Sequence, residues 1–344
     1  MPALPPVIAG AFTPEIESRV ENFYNSIAAI FEAWANRRKS AHTRRAYRGD
    51  VMAFVEFRGI EWPKDAAQLL RVSILDVQAF REHMANHGGA PKTINRRISS
   101  LSSFYRFLGG AAAELRLPIT VPNPAHAQFI SRESSDPRDE TRAMSETRAR
   151  QLLAMVPGDS LLELRDRAIL KFYLYTGARI ATGCNLNVTD FHQDGDEATL
   201  RFHIKGGRIK TKGIHFSAAE SIAEYIKAAG IESGPLFRPR VSRHSDALAP
   251  RRMTQRSMYR VLMSYLERLP GAMQEKELPS GEKIRECIYS PHSMRATTAT
   301  LLLDSSVPIE SVQDLLDHKH ITTTQIYDKR RRTVRDSASH KVPI

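Results

Sequence analysis

Three prolines within a short stretch, Pro118, Pro122 and Pro124, are followed by a polar run over residues 131–142 rich in Ser, Asp, Glu and Arg. Proline has no amide hydrogen and a fixed φ, so neither a helix nor a central strand continues through such a segment, and its composition is that of a linker. The chain is therefore expected to fold around two separate cores. Its 344 residues agree, since a single hydrophobic core rarely organises that much chain. The expected layout is an N-terminal extension at 1–25, a helical domain at 26–120, a linker at 121–143 and a second domain at 144–344.

Apolar residues recur at helical spacing through residues 27–116, with no long strand-like run. One helix is predicted after Ser40, a suitable N-cap, with Tyr47, Val51, Phe54 and Val55 on its apolar stripe and Arg44, Arg45 and Arg48 on another face. Another is predicted after Pro91, carrying Ile94, Ile98, Leu101, Tyr105 and Leu108 and ending at Gly109-Gly110. Its polar side holds Lys92, Asn95, Arg96 and Arg97. One basic face is ordinarily just solvated, whereas two in one small helical domain point to a surface that grips a polyanion.

The second half begins helically after Ser145, and residues 161–175 form a strongly apolar helical run central to the second core. The pattern then changes to short strands at 198–204 and 212–216 around a turn containing Gly206-Gly207, which reads as a basic hairpin. Helices are predicted at 218–229, 255–269 and 293–303, with a polar loop at 271–283. The fold class expected is mainly α with a small β-hairpin.

The formal charge of +12 points to a phosphate-rich partner, because neutralising phosphates releases their counterions. Cys184 and Cys287 are the only cysteines and sit in no metal-ligand spacing, so neither a disulfide nor structural zinc is expected. No run is long and apolar enough to span a bilayer, and the apolar N-terminal stretch lacks the basic residues of a secretory signal. A cytoplasmic location is expected.

In Ser290-Pro291-His292-Ser293-Met294-Arg295 a capping serine and a first-turn proline open a helix, and His292 and Arg295 then share a face. There an imidazole and a guanidinium can converge on one anion. Downstream, His318 in Leu316-Asp317-His318 precedes Tyr327 by nine residues. Upstream, Thr176-Gly177-Ala178-Arg179 ends the apolar helix, where a glycine lets the chain turn and present an arginine from a rigid base. Each motif alone is bland: a surface H-x-x-R, a core tyrosine, an ordinary helix end.

In this order and spacing, T-G-x-R, a basic hairpin, H-x-x-R and L-x-H with its distant tyrosine, the chain resembles the tyrosine recombinase, or phage-integrase, family from about residue 20 to 335. The resemblance implies that Arg179, His292, Arg295 and His318 surround a nucleophile, Tyr327. It also implies a catalytic lysine in the hairpin. Lys205 is favoured because Lys205-Gly206-Gly207 resembles the family's Lys-Gly turn; Lys210 and Lys212 are then expected to touch DNA. Three departures stand out: Thr182 where the family often has an acid, Asp317 where it usually has glycine, and no proline near the hairpin's second strand.

What the resemblance implies overall is a helical core-binding (SAM-like) domain and an α+β catalytic domain closing as a clamp on double-stranded DNA. It further implies recombination sites as partners, a homotetramer of two synapsed dimers, a covalent phosphotyrosine, and neither cofactor nor metal. Two arginines and a histidine can neutralise the charge that builds on the phosphate. Rival readings are a type IB topoisomerase, which the N-terminal helical domain argues against, and an inactive DNA-binding relic.

Overall fold

The computed structural model describes residues 13–134, 141–195, 197–204, 208–277 and 281–328. The chain forms two compact units divided between Ser135 and Asp136, Leu278–Gly281 aside.

In the first unit Thr13 caps α1 (Pro14–Asn25), accepting the Ile16 amide at 3.4 Å. There follow α2 (Ile27–Asn36), α3 (Ala41–Phe57), α4 (Ile74–Asn86) and α5 (Pro91–Glu114). Ser40 caps α3 by accepting the Thr43 amide, and the reciprocal Ser73–Asp76 capping box opens α4. The two predicted stripes face inward. Val51, Phe54 and Val55 of α3 and Ile94, Ile98, Leu101, Tyr105 and Leu108 of α5 are buried around Phe31, Trp34 and Phe104. The Phe31 and Phe104 rings meet edge-on at 5.5 Å. Each such side chain contributes roughly 1.5–3 kcal/mol on leaving water.

The expected end of α5 at Gly109-Gly110 is corrected, because the helix runs on to Glu114. Each glycine costs about 1 kcal/mol inside a helix. The Ala111–Ala113 run that follows is the strongest helix former, and burial of Ala112 in the core offsets that cost. Within the expected extension, α1 buries Val20 and Phe23 in this same core. The first part of the expected linker docks there too: Ala125 and Ile130 are buried, and Asn95 bonds both the amide and the carbonyl of Glu133 at 2.9 Å.

The second unit comprises α6 (Glu146–Ala154), α7 (Leu161–Thr176), α8 (Ile180–Asn185), β1 (Phe191–Asp194), β2 (Glu197–Ile204), β3 (Arg208–Gly213), α9 (Phe216–Ala228), α10 (Gln255–Leu266), β4 (Met273–Glu277), β5 (Lys283–Cys287), α11 (Pro291–Asp304), α12 (Ile309–Leu316) and α13 (Ile321–Gln325). As expected from its apolar run, α7 is central, with Ala168, Ile169, Leu170, Phe172 and Tyr173 buried. The antiparallel sheet has the order β1-β2-β3, and Leu200 and Phe202 of β2 point into the core.

Two strand expectations are corrected, and one further strand was not foreseen. The hairpin's second strand is Arg208–Gly213, not 212–216, pairing from Ile204↔Arg208 to Thr199↔Gly213. Ladder pairing resumes at Arg208, opposite Ile204, while His215 is drawn off to cap α9 by accepting the Ser217 amide at 3.2 Å; the expected turn at Gly206-Gly207 lies outside the described residues. The strand β1 was not anticipated. The expected polar loop at 271–283 contains β4, which pairs with β5 as a two-stranded hairpin. Most of its residues are exposed, so no apolar alternation marked it in the sequence. Among the described residues no helix is long and apolar enough to cross a membrane.

Candidate active site

Thr176 ends α7 by donating to Phe172 O at 2.6 Å, and Gly177 then turns with φ 58°. Glycine is required there twice over. The left-handed conformation disfavours a side chain, and a Cβ would stand 2.5 Å from Leu316 Cδ2. The bare backbone lets Gly177 O accept from Arg295 Nη1 at 2.7 Å, while Arg295 Nη2 donates to Leu316 O at 2.5 Å. One buried guanidinium thus ties the end of α7 to the end of α12. Arg179, at the N-cap of α8, is exposed.

The helix α11 opens with Pro291 in its first turn and with the Ser293 hydroxyl accepting the Ser290 amide at 3.0 Å. That fixes the turn from which His292 and Arg295 project. Tyr327 follows α13, its ring in a small apolar cluster with Ala296, Ala299, Leu303, Val312 and Leu316. Its hydroxyl lies 3.3 Å from His292 Nε2, within the electrostatic influence of the Arg295 and Arg179 guanidiniums. His318 is buried beside it, the rings near-parallel at 6.0 Å, with Nδ1 2.9 Å from Thr324 Oγ1. The five residues singled out by the motifs thus meet in one unit.

The electrostatics follow from crowding positive charge in a half-closed site. Burial, then the Arg179 charge, lowers the Arg295 guanidinium to about 10, which leaves it cationic at neutral pH. Burial, followed by Arg295, Arg179 and His292, pushes His318 down to about 4, so it is neutral. Burial raises Tyr327 above the ordinary phenol value, against the pull of Arg295 and Arg179. A phenol in that position needs a proton acceptor, and His292 is within reach.

The sequence pattern of the Phage integrase family matches residues 142–333, and that of the phage integrase N-terminal SAM-like domain matches residues 31–110. The chain belongs to the phage integrase family. A tyrosine recombinase XerC of Roseiflexus sp. (strain RS-1) is 28% identical to it over 300 residues, covering 85% of this chain and 84% of the relative. The fold resembles that of the XerH site-specific recombinase bound to palindromic difH substrate in a post-cleavage complex, with TM-score 0.64, 14% identity, and coverage of 90% of this chain and 92% of that one. It also resembles a lambda integrase tetramer bound to a Holliday junction, with TM-score 0.61, 18% identity, and coverage of 93% and 79%.

In this integrase-family chain the hairpin lysines separate. Lys205 lies outside the described residues, as does the basic tail beyond Asp328. Lys210 pairs with Asp314 and stands 3.6 Å from Asp317. Lys212, expected to touch DNA, is buried: it donates to Asp314 O at 2.9 Å and Leu315 O at 2.6 Å and pairs with Asp317 Oδ2 at 2.9 Å. Its three donors are all engaged within the unit, so gripping a phosphate would mean breaking one of them. Asp317 itself, where the family usually has glycine, holds the left-handed conformation at φ 53°. The departure was visible in the sequence; its pairing with Lys212 was not.

In the SAM-like domain Arg45, Lys92 and Arg96 are exposed, and Arg44 donates to Arg38 O at 3.2 Å. Arg48 pairs with Glu32 and Asn36, and Arg97 reaches Met84 Sδ at 3.6 Å. Arg96 also bridges to Asp50 at 2.7 Å. Asp50 is buried, and burial raises its carboxyl pKa against the opposing pull of Ser100 and Arg96. The signal was an acid on the apolar stripe of α3, next to Val51. Asn95 is occupied by the Glu133 backbone.

Proposed function

We propose that this chain is a site-specific DNA recombinase that cuts and rejoins double-stranded DNA through a covalent 3′-phosphotyrosine on Tyr327. The observation that carries the reading is the Tyr327 hydroxyl 3.3 Å from His292 Nε2, with the Arg295 and Arg179 charges acting on it. Tyr327 Oη attacks the phosphorus, its proton passes to His292, and the 5′ oxygen leaves with a proton from Lys205. Arg179 and Arg295 neutralise charge that builds on the non-bridging oxygens, and His318 donates a hydrogen bond to one of them. Because the phosphotyrosine conserves the ester, attack by a new 5′ hydroxyl restores DNA at little net cost.

The exposed basic residues of the SAM-like domain would grip phosphates around the duplex. Assembly of four protomers on two sites, with exchange through a Holliday junction, is supported by the tetrameric lambda integrase complex that shares the fold.

The test is trapping on a nicked suicide substrate. A covalent complex is expected at Tyr327 of the parental protein and none from Tyr327→Phe. Absence of any complex from the parental protein on its own site would leave the accessory-relic reading in place. Recombination of a two-site plasmid, as opposed to relaxation alone, then separates a recombinase from a topoisomerase.

A further inference from the structure

Thr324 lies in α13, fully buried, and among the described residues its hydroxyl makes one hydrogen bond, to His318 Nδ1 at 2.9 Å. Counting hydrogens decides which atom donates. A neutral imidazole has one N–H and one bare nitrogen; a threonine hydroxyl has one hydrogen and two lone pairs. If Nδ1–H were the donor, the Thr324 hydrogen would be left with no acceptor in a place closed to water, which is costly. A spare lone pair on oxygen is better tolerated than a stranded hydrogen. With Thr324 as donor its buried hydrogen is satisfied, and the single imidazole proton stands on Nε2, the edge turned away from Thr324.

The doubly protonated ring is opposed by its surroundings. Burial and the charges of Arg295, Arg179 and His292 all act against it, and only Asp317 acts for it. The backbone that carries the ring is also held in place. The His318 amide donates to Gln313 O at 3.2 Å, and Gln313 Nε2 donates to His318 O at 3.0 Å. The Tyr327 amide donates to Thr324 O at 3.0 Å, so the turn that carries the threonine also carries the tyrosine.

We propose that Thr324 is a positioning residue that sets the tautomer of His318, keeping its proton on Nε2, the edge that donates to the reacting phosphate. This rests on the reading of His318 as a phosphate donor. A histidine of the other tautomer would turn a lone pair towards an anion, and the two would repel. Nothing in the run Thr322-Thr323-Thr324 singled out one threonine from the sequence.

The experiment uses the full chain with ¹⁵N-labelled histidine, the His318 signals being identified by their loss in His318→Gln. Long-range ¹H–¹⁵N correlation reads which ring nitrogen carries the proton. The parental protein and Thr324→Ser are expected to show a proton-free Nδ1 and a protonated Nε2. Thr324→Val, close in shape but without the donor, is expected to populate the Nδ1–H form and to cleave a suicide substrate about tenfold more slowly, the scale of one lost hydrogen bond. Thr324→Ser should restore both. A parental Nδ1–H signal, or an unchanged tautomer in Thr324→Val, overturns the proposal. Should Thr324→Val fail to fold, the parental and serine spectra still decide it. If the tautomers come out as expected but His318→Gln cleaves at the parental rate, Thr324 keeps its role and the phosphate-donor reading of His318 is what fails.

Discussion

Arg295 makes more of the site than its charge. Its planar fork donates to two backbone carbonyls, at the ends of α7 and α12, while its charge acts on the Tyr327 hydroxyl. Lysine keeps the charge but has no fork, so Arg295→Lys should bind DNA within a few-fold of the parental protein and cleave it about 10² to 10³ times more slowly. Near-parental cleavage in a single-turnover assay would remove the fork from the mechanism. His318 gives a pH test that needs no DNA. In the folded chain it stays neutral down to about 4, whereas an unfolded histidine takes up a proton near 6.5. Between those values the unfolded chain binds more protons, so this group's stabilisation is present above 6.5 and lost as pH falls towards 4. Over that window Tm should fall more for the parental protein than for His318→Gln; parallel pH profiles would refute the depressed value.

At the level of elements, the catalytic unit is stitched together where helix ends meet strands. Asp317 leaves α12 in a left-handed conformation that costs a non-glycine residue roughly 1 kcal/mol. What it gains is the ion pair with buried Lys212, which fastens β3 to the end of α12. A double-mutant cycle with Lys212→Met and Asp317→Asn should therefore give a coupling energy on the order of 1 kcal/mol, measured by denaturant unfolding. Simple additivity would mean that the contact contributes nothing. Hydrogen exchange of the β3 amides should quicken in both single variants.

For the molecule as a whole, charge and exposure predict how DNA binding responds to salt. Arg45 and Lys92 lie exposed on the SAM-like domain. Replacing either with alanine should weaken binding to all sequences alike and reduce the slope of log K against log salt by about one, as expected when a phosphate contact is lost. Lys212→Ala, which removes an equal charge from the interior, should leave that slope unchanged. Equal slope changes from all these variants would contradict the burial of Lys212, and no change from Arg45→Ala or Lys92→Ala would take those residues out of the DNA surface.

The sequence by itself determined what local pattern and order can carry. The stripes of α3 and α5 and the apolar run of α7 announced helices with a buried face, because helical periodicity places such residues on one side whatever lies beyond. The motifs around Arg179, His292, Arg295, His318 and Tyr327 pointed to a candidate site through their order and spacing, and the fold brings all five into one unit. Tertiary structure alone decided which polar groups found partners. Lys212 looked like any hairpin lysine until β3 met the end of α12, and Arg96 like any surface arginine until α5 packed on α3 and brought it to Asp50. The β4–β5 hairpin left no trace in the pattern because both of its faces are largely wet, and Gly109-Gly110 did not stop α5 because burial of the next turn outweighed two unfavourable residues. Propensity and periodicity are properties of neighbours in sequence; the partner of a buried charge is set by segments far apart in the chain, and only folding brings them together.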